Sequence, residues 1–277
     1  MTPGAANLEF RDGIWYSRSK SPVHYPDKDR DICFQLEEKS FWFNHRNGCI
    51  AEIVKKFPFK GAIYDIGGGN GYVALQLQNL GFEAVLIEPG AGGVENAKKR
   101  GLKNLVCSSI EDAGFKKGSM DAIGIFDVLE HVEDDNGFLQ RLNELLADPG
   151  RLYITVPAYK ILWSNKDMAG GHFRRYSAKS LTKSLEKAGF RVEYATYLFS
   201  LLVVPMFVFL TLPSLMGFKM KNAKDEYESE HRVESKTLGF LISIMSKIEL
   251  KMIRAGKRIP FGSSCLVVAR KEAGHAA

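Results

Sequence analysis

Six short apolar runs, at 62–66, 84–88, 105–108, 122–127, 151–156 and 191–199, alternate along the chain with stretches of helical character. That rhythm predicts a mostly parallel β-sheet with crossover helices. The helical stretches 72–80, 92–100 and 180–188 run into Gly81, Gly101 and Gly189, each placed where a helix C-terminus favours glycine. A last strand-like run, 265–270, follows the sixth after about sixty residues of different character, too many for an ordinary loop in a compact domain. The expected organisation is a polar, proline-containing arm at 1–30, a helical cap at 31–58, a core at 59–199 and 262–272, and a helical insertion at 200–261.

The insertion opens on an apolar segment. No charged residue lies between Glu193 and Lys219, and 198–215 is rich in Leu, Val, Phe and Met. A bilayer crossing takes about 20 apolar residues. A single crossing would strand 265–270 on the wrong side of the membrane, and the next helical stretch, 237–253, carries Lys247, Glu249 and Lys251, so no second crossing returns it. Pro205 and Pro213 also interrupt the run. It therefore either packs on the domain or dips into one leaflet. In the following helix Leu238, Leu241, Met245, Ile248 and Met252 are expected on one face, with Ser243, Lys247, Lys251 and Arg254 largely opposite. Between 216 and 258 ten Lys or Arg stand against six Asp or Glu, which suits an anionic membrane surface or a hydrophobic acceptor; a helical roof over the active site is the other reading.

At 277 residues, 45% hydrophobic and 25% charged, the chain is globular, which excludes the disordered and fibrous classes. Cys33, Cys49, Cys107 and Cys265 are too scattered to build a disulfide framework or a zinc site from sequence neighbours. A reducing compartment is expected. The first ten residues lack a basic segment followed by an apolar run, so the cytoplasm is the expected location, with the inner membrane face as a site of peripheral contact. The formal charge of +6 is compatible with nucleic acid, anionic lipid or phosphorylated ligands and selects none.

Chemistry is concentrated after the strands. Asp65-Ile66-Gly67-Gly68-Gly69-Asn70-Gly71 follows the first strand and opens the first helix, where glycines let the backbone turn tightly and approach a ligand. The spacing is G-x-G-x-G, not the G-x-G-x-x-G of dinucleotide sites. Asp65, two residues before Gly67, suits a ligand carrying an ammonium group better than one carrying a pyrophosphate. Glu88 closes the second strand where a carboxylate can accept both ribose hydroxyls. Ser109-Ile110-Glu111-Asp112 follows the third strand, and Phe126-Asp127-Val128-Leu129-Glu130-His131-Val132 the fourth.

Over roughly 37–199 and the last strand, the chain resembles the class I S-adenosylmethionine-dependent methyltransferases. Asp65 to Gly71 is similar to their first motif, Glu88 to the ribose-binding acid, Asp112 to the acid that contacts the adenine amino group, and Phe126 to Val132 to the fourth motif. The resemblance implies an α/β, Rossmann-like, seven-stranded, mostly parallel sheet with an antiparallel last strand, 265–270. It implies S-adenosylmethionine as cofactor, with S-adenosylhomocysteine as product, held by Asp65, Gly67, Gly69, Gly71, Glu88, Asp112 and Asp127. The plainer alternatives are an ordinary strand-to-helix turn for the glycines and a helix N-cap for Asp112. Many relatives carry Cys or another residue where this chain has Gly68, a departure expected to leave the turn intact.

Methyl transfer from a sulfonium is an in-line displacement that needs no metal, so positioning supplies most of the catalysis and a base can supply the rest. His131, just past the fourth strand, is the first candidate base, the alternative being that it packs its short helix; His172 is the second. The loop 170–176, with Arg174, Arg175 and Tyr176, suits recognition of an anionic or carbohydrate-like acceptor, unless its cations merely neutralise helix ends. Trp42, His45 and Arg46 are expected to close over the site, with Phe41 and Phe43 in the core. The expected activity is O-methylation of a small-molecule, glycan or lipid-linked acceptor. A non-catalytic, S-adenosylmethionine-binding regulatory partner is the rival. A nucleic-acid substrate is disfavoured, because Phe126-Asp127-Val128-Leu129 stands where an N-P-P-Y or D-P-P-Y tetrad would stack a flipped base.

Overall fold

In the computed structural model, which describes residues 4–19, 30–218 and 236–272, the predicted runs become neighbouring strands of one sheet. They are β3 (Ala62–Ile66), β4 (Glu83–Ile87), β5 (Asn104–Cys107), β6 (Met120–Phe126), β7 (Leu146–Pro157), β8 (Phe190–Leu198) and β9 (Ser264–Lys271). The helices between them are α3 (Tyr72–Asn79), α4 (Ala91–Lys99), α5 (Asp135–Leu145), α6 (Asn165–Ala169) and α7 (Ala178–Lys187). Strands β3 to β7 pair in parallel, and β9 inserts antiparallel between β7 and β8. Period-two alternation sends Ala62, Tyr64 and Ile66 to one core and Ile63 to the other, so both faces of β3 are covered. That double burial is why these strands read as continuous apolar runs. Gly81, Gly101 and Gly189 end their helices in the left-handed conformation, as expected.

The arm holds more structure than its composition suggested. Strands β1 (Leu8–Arg11) and β2 (Ile14–Ser17) form a hairpin whose second strand runs parallel to β5, pairing Trp15 with Val106 and Tyr16 with Cys107. Among the described residues the sheet therefore has nine strands, in the order β1-β2-β5-β4-β3-β6-β7-β9-β8. Asp12-Gly13 makes the turn with positive φ at both residues, the strongest short hairpin signal a sequence carries.

The cap consists of α1 (Arg30–Glu37) and α2 (Phe41–Lys56), the latter capped by the Ser40 side chain. After β8, residues 200–215 form consecutive 3₁₀, α, π and α turns, with the π stretch Phe207–Thr211 lying between Pro205 and Pro213. Each proline lacks the N–H that a regular ladder requires. Helix α8 (Lys236–Arg254) packs on α2. Its inward residues are Ile242, Glu249 and Ile253, whereas Leu241 and Ile248, expected on the apolar face, are exposed. Met245 and Met252 are half-buried, and the Leu238 side chain lies outside the described residues. Among the described residues no helix is long and apolar enough to cross a membrane.

Candidate active site

Besides Asp12 in the β1–β2 turn, three non-glycine residues among the described ones hold positive φ: Asp127 (58°) after β6, Tyr159 (55°) two residues past β7 and Phe199 (59°) after β8. Strained backbone gathers where surrounding structure over-determines it, commonly at functional sites, and all three lie on the carboxyl edge of the sheet.

The glycine turn occupies the same edge at β3. Gly67, Gly69 and Gly71 all have positive φ, and Gly71 starts α3. A Cβ on Gly71 would lie 2.7 Å from that of Ala97, so the residue must be glycine for space as well as for torsion. Gly68 is not neutral either, because a Cβ there would lie 2.5 Å from Asp65 Oδ2 and 2.6 Å from Leu86 Cδ1. Asp65 thus sits beneath the loop in space that Gly68 leaves. It is buried, neither carboxylate oxygen has a hydrogen bond of normal geometry, and burial raises its pKa to about 7, opposed by the Arg46 cation and the nearby Ala74 N–H and reinforced by Glu88. Glu88 accepts from the Gly69 N–H (3.1 Å) and the Gly90 N–H (2.7 Å), joining the turn to the start of α4. Each carboxylate oxygen can accept a second hydrogen bond, so ribose hydroxyls can join these contacts. Asp112 lies in a turn that starts no helix, which removes the N-cap alternative, and its carbonyl accepts from Asn7 Nδ2 (2.6 Å) and Ser17 Oγ (3.3 Å).

On the β6 side the expected contacts change partners. Asp127 accepts from Arg46 and from Thr155 Oγ1 (3.1 Å), so its carboxylate anchors the cap to the sheet edge. The Arg46 guanidinium lies over the Trp42 ring (4.8 Å), and Trp42 stacks on Phe199 (5.5 Å between centroids). His45 does not face the site. Its Nε2 lies 2.8 Å from Glu249 Oε2, and Glu249 also accepts from the N–H groups of Phe199 and Ser200, tying cap, insertion and α8 together. Together these donors hold the Glu249 carboxyl below its ordinary range against the pull of burial, the largest single influence on it. A crevice beside this pair, with a cavity volume of only about 10 Å³, is lined by Phe41, Phe199, Leu201, Leu202, Ile242 and Met245.

The loop after β7 also uses its cations internally. Arg175 makes a two-pronged contact with Asp167 (2.6 and 3.0 Å), Arg174 reaches Asp135 (2.9 Å), and Tyr176 donates to Asp135 (2.8 Å). Arg175 and Tyr176 are buried in an internal clamp, while the Arg174 side chain stays partly exposed. The fully buried Asp167 caps its own helix through Ser164 and takes His172 Nδ1 at 2.9 Å. His172 and His131 then meet edge to face, 4.7 Å between ring centroids. Burial, with the neighbouring His172, lowers the His131 pKa to about 4, so it stays neutral. Buried Glu130, with Oε2 unpartnered, is pushed well above the usual carboxylate range by desolvation and by Asp127. One donor atom each from Glu130, His131 and His172 lie within 4.8 Å of one another, a spacing that a divalent cation also fits.

Sequence reasoning passed over Asp167 and Glu249. The first carried a legible signal, the Ser164-Asn165-Lys166-Asp167 capping box; the second, a lone acid in an amphipathic helix, carried none. It also missed Arg100, which bonds Glu37 and the Asn70 carbonyl (3.0 Å) and so ties α1 to the glycine turn.

An open sheet with a glycine turn and buried acids along its carboxyl edge defines a Rossmann-like, nucleotide-cofactor class of domain. The chain belongs to the methyltransferase-domain family, whose model matches residues 44–195. Among curated proteins it is similar to the ubiquinone biosynthesis O-methyltransferase of Xanthomonas oryzae pv. oryzae, 29% identical over 100 residues, covering 34% of this chain and 42% of that one. The enzyme of that name from Xanthomonas axonopodis pv. citri is 28% identical over 105 residues, covering 36% and 44%. The chain thus spans less than half the length of these relatives. Among solved structures, an S-adenosylmethionine-dependent methyltransferase of Thermotoga maritima superposes with a TM-score of 0.55 at 17% identity over 88% of this chain and 96% of that one. The 4+2-cyclase SpnF gives 0.57 at 15% identity over 93% and 100%. Such likenesses show the fold, and a cyclase sharing it means that the reaction must be argued from the site.

Proposed function

We propose that this chain binds S-adenosylmethionine at the β3–β4 edge and methylates an oxygen of a small or lipid-linked acceptor at the β6–β8 edge. The observation that carries the cofactor assignment is Asp65: a buried carboxylate under a glycine turn, with no hydrogen bond of normal geometry to either oxygen, fits a ligand with an ammonium group. Glu88 would hold the ribose, and Gly67, Gly69 and Gly71 keep the backbone close to it. When bound, the cofactor supplies a methyl group on an electrophilic sulfonium. The chain's own part is to position the acceptor and take its proton. His172 is better placed for this than His131, because Asp167 holds its Nδ1–H and leaves the Nε2 lone pair for a hydroxyl. His131, neutral with its pKa lowered to about 4, adds no charge beside that ring. The curated O-methyltransferase relatives support oxygen as the acceptor atom.

His172→Ala should lower turnover by about 10²- to 10⁴-fold while affinity for S-adenosylhomocysteine is kept, measured with methyl-labelled cofactor and host extract split into lipid, glycan, RNA and small-molecule fractions. Turnover is expected to survive a chelator. Strict dependence on an added divalent cation would reassign Glu130, His131 and His172 to metal binding.

A further inference from the structure

Several of the most exposed apolar side chains belong to one stretch of the chain. Phe209 and Leu215 are each 73% exposed, Val204 70%, Met216 67% and Phe218 63%, all within the uncharged stretch that follows β8, and Phe240 on α8 is 66% exposed. An apolar surface of this extent is not left to water without a partner. Three further observations say what covers it. The exposed charges of α8 among the described residues are Lys247, Lys251 and Arg254, and its one acid, Glu249, is buried against His45. Arg254 is held by Glu52 (2.9 and 3.0 Å), which leaves Lys247 and Lys251 as the cations of α8 beside the apolar bulk. It also reaches the site: the turn Lys160–Leu162 packs on Phe207–Thr211, and Asn165 Nδ2 donates to the Phe218 carbonyl at 2.8 Å. Asn165 opens α6, the helix of Asp167, whose partner is His172. Finally, Ile161, Met168 and Phe173 around that rim are themselves exposed.

We infer that residues 200–218 and α8 seat the chain on an anionic bilayer, with the His172 rim at the lipid–water boundary. A lipophilic acceptor then enters sideways from the membrane. A second copy of the chain fits the charge less well, since two such faces would bring Lys247 and Lys251 against like charge. The inference rests on the proposed function for what the acceptor undergoes, but the docking itself does not.

The test is co-sedimentation of the full chain with phosphatidylcholine vesicles, with and without phosphatidylglycerol, at low and high salt. Binding should be several-fold stronger to the anionic vesicles and should weaken with salt. The double change Phe209→Glu, Leu215→Glu should lower binding about tenfold or more while S-adenosylhomocysteine affinity and thermal unfolding stay at wild-type values. Lys247→Glu with Lys251→Glu, which touches no apolar side chain, should remove the salt-sensitive part. Absence of vesicle binding at low salt overturns the inference. So does a vesicle-independent dimer that Phe209→Glu, Leu215→Glu dissolves. Failure to bind S-adenosylhomocysteine would instead count against the proposed function and leave the vesicle result standing.

Discussion

Along the carboxyl edge of the sheet, the side built from β3 and β4 and the side built from β6, β7 and β8 hold their functional groups by different means. On the first side backbone does the holding. Gly69 and Gly90 present N–H groups to Glu88, and the space over Asp65 exists because Gly68 has no side chain. On the second side charged side chains from distant segments hold one another: Arg46 with Asp127, His45 with Glu249, and Arg175 and His172 with Asp167. The first arrangement presents a fixed cradle for a common ligand. The second can change its loops and keep the cradle, which is how one fold comes to serve different acceptors.

This contrast predicts different penalties on the two sides. The largest belongs to Asp167→Ala, which leaves Arg175 buried without its partner and removes the helix cap; stability should fall by about 3 to 5 kcal/mol in denaturant unfolding. A loss under 1 kcal/mol would show that the clamp is dispensable. On the glycine side Gly71→Ala meets both positive φ and Ala97 and should cost about 3 kcal/mol. Gly92→Ala, in α4 with open space around it, should instead stabilise by up to about 1 kcal/mol. Equal effects at the two glycines would remove the argument from space.

The smaller effect is in pH. With its pKa raised to about 7, Asp65 in the free protein is protonated below that point, whereas a ligand ammonium requires it ionised. Affinity for S-adenosylhomocysteine should therefore fall about tenfold for each pH unit below 7 and level off above it. The linked stability runs the other way. Because the folded state binds this proton more tightly than the unfolded chain, the Asp65 contribution is fully present below about 4 and is lost as the pH rises through 7. In Asp65→Asn the pH dependence of affinity should vanish; its persistence would locate the titrating group elsewhere.

The same contrast explains what could be read from the sequence. The seven core strands were legible because burial on both faces leaves continuous apolar runs, and the glycine turn because its torsions and crowding admit little else. In sequence, residues 8–17 read as part of a polar arm although Asp12-Gly13 marks a hairpin, since its short strands alternate too weakly to stand out. The clamps were not legible. His45 and Glu249 are 204 positions apart, and nothing local tells a buried acid on an amphipathic helix from a solvated one. Arg174 and Arg175 look in sequence like an anion site because the acids that neutralise them lie on other elements.

The most direct test of the division between the two sides is calorimetric titration of S-adenosylhomocysteine into the wild-type protein, Glu88→Ala and His172→Ala at pH 8. The wild type and His172→Ala should bind alike, and Glu88→Ala should lose about 1.5 to 3 kcal/mol with the loss of its charge-assisted contacts. No binding by the wild type, or equal losses in the two variants, would contradict the account.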